Sequence, residues 1–137
     1  MNRIEIEKRF DAIVGHHGNR RIEKVYKTVL TMPEGFTLKL PWGLKAVTGY
    51  AVAPNKATET RVNNLTAKDI YEFVTKWADA LSDKRAYLGG WYDTATKQHV
   101  LDVSFVVADR ADALAIAVKG SQDAIFHLDT MQEIRVR

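Results

Sequence analysis

A chain of 137 residues, 46% apolar and 27% charged, fits one globular domain that buries a core without staples, and it excludes the disordered and fibrous classes. It has no cysteine, which removes disulfides, thiolate metal sites and a cysteine nucleophile and makes a reducing compartment the easiest home. Net charge is +3 but uneven: residues 1–64 carry 11 Lys/Arg against 6 Asp/Glu, and residues 65–137 carry 9 against 11.

The basic first half offers contact to an acidic partner or a phosphate backbone. It lacks the dense stripe of a dedicated DNA binder, so a solvated surface is the plainer explanation. The opening Met1-Asn2-Arg3-Ile4-Glu5 alternates charge with apolar side chains, so no signal peptide is expected. No apolar run approaches the roughly 20 residues of a membrane span. The expectation is a cytoplasmic protein, in a host cell, with no membrane partner.

Ile6, Phe10, Ile13 and Val14 recur at helical spacing, which predicts a first helix over residues 3–14, ended by Gly15. His16-His17-Gly18-Asn19 then reads as a loop. Between Arg21 and Leu30 the β-branched and aromatic content (Ile22, Val25, Tyr26, Thr28, Val29) predicts a strand. Pro33-Glu34-Gly35 turns the chain into a short strand from Phe36 to Leu40, which Pro41-Trp42-Gly43 breaks. Val47 to Ala53 and Thr58 to Val62 predict two more strands around Pro54-Asn55-Lys56.

Thr66 begins the clearest helix, with Asp69 in the capping-box position. Ile70, Phe73, Val74, Trp77 and Leu81 form one apolar stripe along it. Two strands follow, Tyr87 to Tyr92 and His99 to Phe105, around the turn Asp93-Thr94-Ala95-Thr96-Lys97. In the return strand Leu101, Val103, Phe105 and Val107 share one side, and Asp102 and Ser104 form the outer, polar one. Asp109 caps a third helix that Gly120 ends, and Ala124-Ile125-Phe126 and Ile134-Arg135-Val136 close the chain with a last strand or strands. The pattern predicts a single α+β domain over 1–137, with a mainly antiparallel sheet, about three helices on one face and a C-terminal ββαβ unit.

Candidate chemistry is sparse. His16 and His17 are adjacent, rarely point at one ion, and have no local Asp, Glu or His at a helpful spacing, so no metal site is expected. His99, Asp102 and Ser104 hold the residue types of a hydrolase triad, but strand alternation sets His99 against the other two and no nucleophile elbow is present. Asp93 and Asp102 form an acid–base pair only if the hairpin brings them together, and turn chemistry explains Asp93 equally well. Gly89-Gly90 lacks a phosphate-loop context and suits a bulge or a close backbone approach beside Trp91. Trp42, Trp91, Tyr87 and Tyr92 invite single-strand nucleic-acid stacking, with core packing the better explanation for at least two of the rings.

Five segments carry a resemblance: Gly49-Tyr50-Ala51-Val52, Leu65-Thr66-Ala67-Lys68-Asp69-Ile70, Gly89-Gly90-Trp91-Tyr92-Asp93, Leu101-Asp102-Val103-Ser104 and Gln122-Asp123-Ala124-Ile125-Phe126. Over about residues 49–137 the chain resembles small domains of phage and mobile-element accessory proteins of the polyvalent type. The resemblance implies provenance from phage or prophage and, by analogy with anti-CRISPR proteins, a role in blocking host defence. It supplies no catalytic residues. The expectation is therefore a non-enzymatic inhibitor, without catalytic, cofactor or metal residues, that binds a host defence protein or ribonucleoprotein complex such as a CRISPR effector. Its partner-binding candidates are Arg20, Arg21 and Trp42 in the basic half and Trp91, Tyr92 and Asp93 on the hairpin. A nucleic-acid-binding accessory protein is the first alternative and a small hydrolase or nuclease the second. Whether it is a monomer or a homodimer is left open.

Overall fold

The computed structural model describes residues 18–136. The expected helix over 3–14, its Gly15 stop and His16-His17 lie outside the described residues. The first described element is a helix, α1 (Gly18–Leu30), where a strand was expected from Arg21. Ile22, Val25 and Val29 are all buried, and their spacing of three and four residues is helical. β-Branched side chains lower helix propensity only slightly, and the burial of one face decides the outcome. Gly18 and Asn19, expected in a loop, are its first residues.

Four strands follow: β1 (Gly35–Lys39), β2 (Leu44–Lys45), β3 (Tyr50–Val52) and β4 (Thr60–Val62). Lys56–Thr58, whose last residue was expected to open the β4 strand, is instead a 3-10 turn capped by the Asn55 side chain. Next come α2 (Ala67–Lys76) and α3 (Ala78–Leu81), two helices broken at Trp77 where one continuous helix was expected. The capping box is complete: Asp69 N–H donates to Thr66 Oγ1 at 3.2 Å, and Thr66 N–H donates to Asp69 Oδ2 at 2.9 Å. The long hairpin of β5 (Ala86–Asp93) and β6 (Gln98–Val107) precedes α4 (Arg110–Lys119) and a closing hairpin of β7 (Ala124–His127) and β8 (Gln132–Arg135).

All eight strands join one sheet in the order β2-β1-β5-β6-β3-β7-β8, with β4 also on β6, and every pairing is antiparallel. This is the α+β domain with a mainly antiparallel sheet that the pattern predicts. β6 is its hub. One edge of β6 pairs with β5 along its length; the other pairs with β4 at residues 99–101 and with β3 at residues 105–107. Between those two partners the Val103 N–H is satisfied by the buried Thr58 hydroxyl at 3.1 Å.

The registers sort the side chains onto two faces. Phe36 and Leu38 of β1, Ala86, Leu88 and Gly90 of β5, and Leu101, Val103 and Phe105 of β6 share one face. There they pack with Ile22, Val25 and Val29 of α1 and with Ile70, Phe73, Val74, Ala78 and Leu81 of α2 and α3. Val52 and Ile125 continue the same face under Ala113 and Ala117 of α4. Each large apolar side chain buried there is worth about 1.5–3 kcal/mol. All four described helices lie on this face, as expected, and none lies on the other.

Candidate functional site

The second face, which carries no helix among the described residues, holds Tyr87, Gly89, Trp91 and Asp93 from β5, Val100, Asp102 and Ser104 from β6, and Arg61 from β4, all placed by register. The expected bulge at Gly89-Gly90 is absent, since pairing runs unbroken from Ala86↔Phe105 to Asp93↔Gln98. The glycines are needed for close approach instead. A Cβ on Gly89 would lie 2.2 Å from Asp102 Oδ1 and 2.6 Å from Ser104 Oγ, so the Asp102 side chain folds across bare backbone. Ser104 Oγ donates to Asp102 Oδ1 at 2.6 Å.

Asp102 and Ser104 were expected on an outer polar side; they face away from the helices, but Ser104 is buried and Asp102 half-buried. Part of the Asp102 residue is accessible while its carboxyl group is enclosed. Burial pushes that carboxyl up from its ordinary value, the bond from Ser104 opposes the rise, and nearby Glu59 adds to it.

Toward the hairpin tip Arg61 organises the face. Its guanidinium donates to Asp93 Oδ2 at 2.9 Å, to Glu59 Oε1 at 3.0 Å and to Thr96 Oγ1 at 3.3 Å. It also lies 5.8 Å from the centre of the Trp91 ring, whose residue is 42% exposed. The Arg61 bond is the main reason the Asp93 carboxyl is held below its ordinary value, and N–H donation from Ala95 adds to it. Asp93 therefore has two roles, closing the turn and fixing Arg61 beside the indole.

The remaining partner-binding candidates lie elsewhere. Tyr92 falls on the helix face, in edge-to-face contact with His99 at 4.9 Å. Arg21 stacks on Trp42, its guanidinium carbon 3.9 Å from the ring centre, and that indole is 61% exposed. Arg20 falls in the first turn of α1. Trp91 sits opposite Gly35 at the start of β1, whereas Trp42 follows the end of that strand, so the two tryptophans belong to opposite ends of β1, a strand roughly 13 Å long. Trp91 and Asp93 form one patch, and Arg21 and Trp42 another.

The enzymatic constellations do not assemble. His99 is on the helix face and Asp102 and Ser104 on the opposite one, so the three share no point of attack. Asp93 pairs across to Gln98 and Asp102 to Gly89, four residues away along β5, which separates the two carboxylate positions by about 13 Å. Among the described residues no group of three or more His, Asp or Glu side chains is arranged to hold a metal ion.

A groove of about 640 Å³ opens where the β2–β3 connection passes the ends of β5 and β6, lined by Lys45, Tyr50, Tyr87, Val107, His127 and Asp129 among others. His127 stacks on Tyr50 at 4.4 Å, and its two ring nitrogens lie 3.1 Å from Thr130 Oγ1 and 3.4 Å from Asp129 Oδ1. Both nitrogens are thus occupied within the chain.

Sequence reasoning missed Arg61 and Glu59. The one available signal was a charged residue at the centre of Thr60-Arg61-Val62, which marks a solvent-facing position but not the strand it meets. No helix among the described residues is long and apolar enough to cross a membrane. Comparison with family models, with curated proteins and with solved structures gave no match.

Proposed function

We propose that this protein is a non-enzymatic binding module that grips a macromolecular partner through the hairpin end of the sheet face that carries Arg61 and Trp91. The observation that carries the reading is the Arg61–Trp91 pair: an exposed indole beside a guanidinium already fixed by Asp93 and Glu59. Aromatic and arginine side chains dominate binding energy at interfaces, and a pre-fixed arginine loses less freedom when a partner arrives. The carboxylates beside it are engaged with Arg61 or Ser104, which supports gripping over turnover. In its finer form, which rests on the resemblance of residues 49–137 to phage accessory domains, the partner is a component of a host defence complex such as a CRISPR effector.

The test is affinity purification with mass spectrometry from phage-infected host lysate, paired with a phage-survival assay in a CRISPR-active strain. Wild type is expected to recover a defence protein and protect the phage. Trp91→Ala and Arg61→Ala are expected to lose both while keeping the wild-type far-ultraviolet circular dichroism. No defence protein recovered and no protection of the phage would retire the defence reading.

The Arg21–Trp42 stack supports a second reading, single-stranded nucleic acid stacked on an exposed indole. A gel shift at low salt that fades steeply as salt rises, and is lost in Trp42→Ala but kept in Trp91→Ala, would favour it over the first.

A further inference from the structure

Among the described residues β8 (Gln132–Arg135) ends the sheet at one side, so one of its edges pairs with β7 and the other meets no described strand. Which backbone groups face outward follows from the ladder. Val136 N–H donates to Asp123 C=O at 2.7 Å, which continues the β7–β8 register one step and makes that a hydrogen-bonded pair. Bonded and non-bonded pairs alternate in an antiparallel ladder, so Ile134 and Gln132 also turn their backbone groups toward β7. The bond from Leu128 N–H to Gly49 C=O at 2.9 Å agrees, since it turns Leu128 and Phe126 toward β3 and leaves Ile125 and His127 for β8. The N–H and C=O groups of Glu133 and Arg135 therefore point away from the sheet.

The side chains of these two residues are more than half exposed, and within one strand they meet at 3.1 Å. Charged side chains on an edge usually guard it against pairing. This edge differs in being complementary to itself. An antiparallel partner strand with the same sequence has three registers that align outward-facing residues. Pairing Glu133 with Glu133, or Arg135 with Arg135, sets like charges opposite each other. Only the register centred on Ile134 pairs Glu133 with Arg135 twice, and it adds an Ile134–Ile134 contact on the helix side.

We propose that the outer edge of β8 pairs with the same edge of a second copy, two-fold about Ile134, so that the eight described strands of each copy join in one continuous sheet across a homodimer. The symmetry is isologous, each Glu133 facing the other copy's Arg135, so the contact closes at two chains and does not propagate. The β2 edge, only Leu44–Lys45, is too short to compete. With four residues per strand the contact is small and the dimer weak and concentration-dependent.

Sedimentation equilibrium up to about 1 mM protein tests the idea. Wild type is expected to move from monomer to dimer with rising concentration. Glu133→Arg and Arg135→Glu each place two like-charged pairs across the edge and are expected to raise the dissociation constant about tenfold or more. An equimolar mixture of the two variants, in which every cross-strand pair is again opposite in charge, is expected to restore the dimer as a heterodimer. Should either variant fail to fold, Arg135→Pro removes one outward N–H without touching the β7 ladder and is expected to give a folded monomer. A wild type that stays monomeric throughout overturns the proposal. So does a dimer that survives both charge variants, or an edge that accepts an unrelated extended peptide while refusing a second copy.

Discussion

Gly89 and Gly90 are neighbours in β5 yet serve opposite faces of the sheet, and what lies against each differs in kind. A Cβ on Gly90 would sit 2.2 Å from the Phe36 ring, which fills the space left by the missing side chain within the packed core. A Cβ on Gly89 would meet the tips of Asp102 and Ser104, which are polar and hydrogen-bonded to each other. One face is closed by shape and the other is organised by charge. Apolar packing needs its volumes filled, whereas the ends of the Asp102 and Ser104 side chains can turn about single bonds to make room for a methyl group.

The largest break in that comparison is expected at Gly90→Ala. The rigid ring, 2.2 Å from the added Cβ, must shift as a whole, and overpacking a core typically costs about 1–3 kcal/mol. Urea denaturation should show it as a lower midpoint, partly recovered by adding Phe36→Leu. Gly89→Ala should cost clearly less, and an equal cost would mean that the two faces are equally rigid. Thr66→Ala removes half of the capping box that starts α2, the helix closing the apolar face, and is expected to cost about 1 kcal/mol in the same assay.

Dependence on pH separates the charged face further. Burial raises the Asp102 carboxyl, so the folded chain keeps that proton to a higher pH than the unfolded chain does. Its contribution is therefore fully present below the ordinary value of 3.8, declines as pH rises through the interval up to the raised folded value, and is level above it. Asp102→Asn should flatten the decline and match or exceed wild-type stability at neutral pH. Asp93 has the opposite sign. Held down by Arg61, it stabilises the fold above its unfolded value, and that contribution is lost as pH falls through its lowered folded value. Denaturation midpoints for Asp102→Asn and Asp93→Asn, taken between about pH 3 and 7, should diverge from wild type in opposite directions. Arg61→Ala should show the smallest effect on stability, since its ion pairs lie at the surface with the guanidinium itself in contact with solvent.

Local signals were legible in the sequence wherever one period ran undisturbed. The stripe from Ile70 to Leu81 and the Thr66–Asp69 box located α2 and α3, although the break at Trp77 left no mark in that stripe. The hairpin around Asp93 to Lys97 was readable from alternation and turn residues, and Asp109 does cap α4, its carboxylate accepting from Ala111 N–H at 2.8 Å. α1 was misread because Ile22, Val25 and Val29 speak for a strand by type and for a helix by spacing. The candidate site was less legible. Trp91 and Asp93 could be named from the hairpin alone, but Arg61 arrives from a strand about thirty residues earlier, and only the β4–β6 register brings it there. Tyr92, named together with Trp91 on the hairpin, faces the helices, because neighbours on a strand with no bulge face opposite ways.

The central place of β6 has a consequence for the order in which the molecule is assembled on the ribosome. β3 pairs with β6 and β7, which are synthesised about 55 and 75 residues later. β1 likewise waits for β5, about 50 residues on. Of the three pairings that close locally, β1–β2, β5–β6 and β7–β8, the β5–β6 hairpin is the longest, so it is the natural nucleus, and β1 and β3, made before it, join it late. Until then the nascent chain presents unpaired apolar strands for most of its synthesis, a burden for chaperones that a fold of local contacts would not impose.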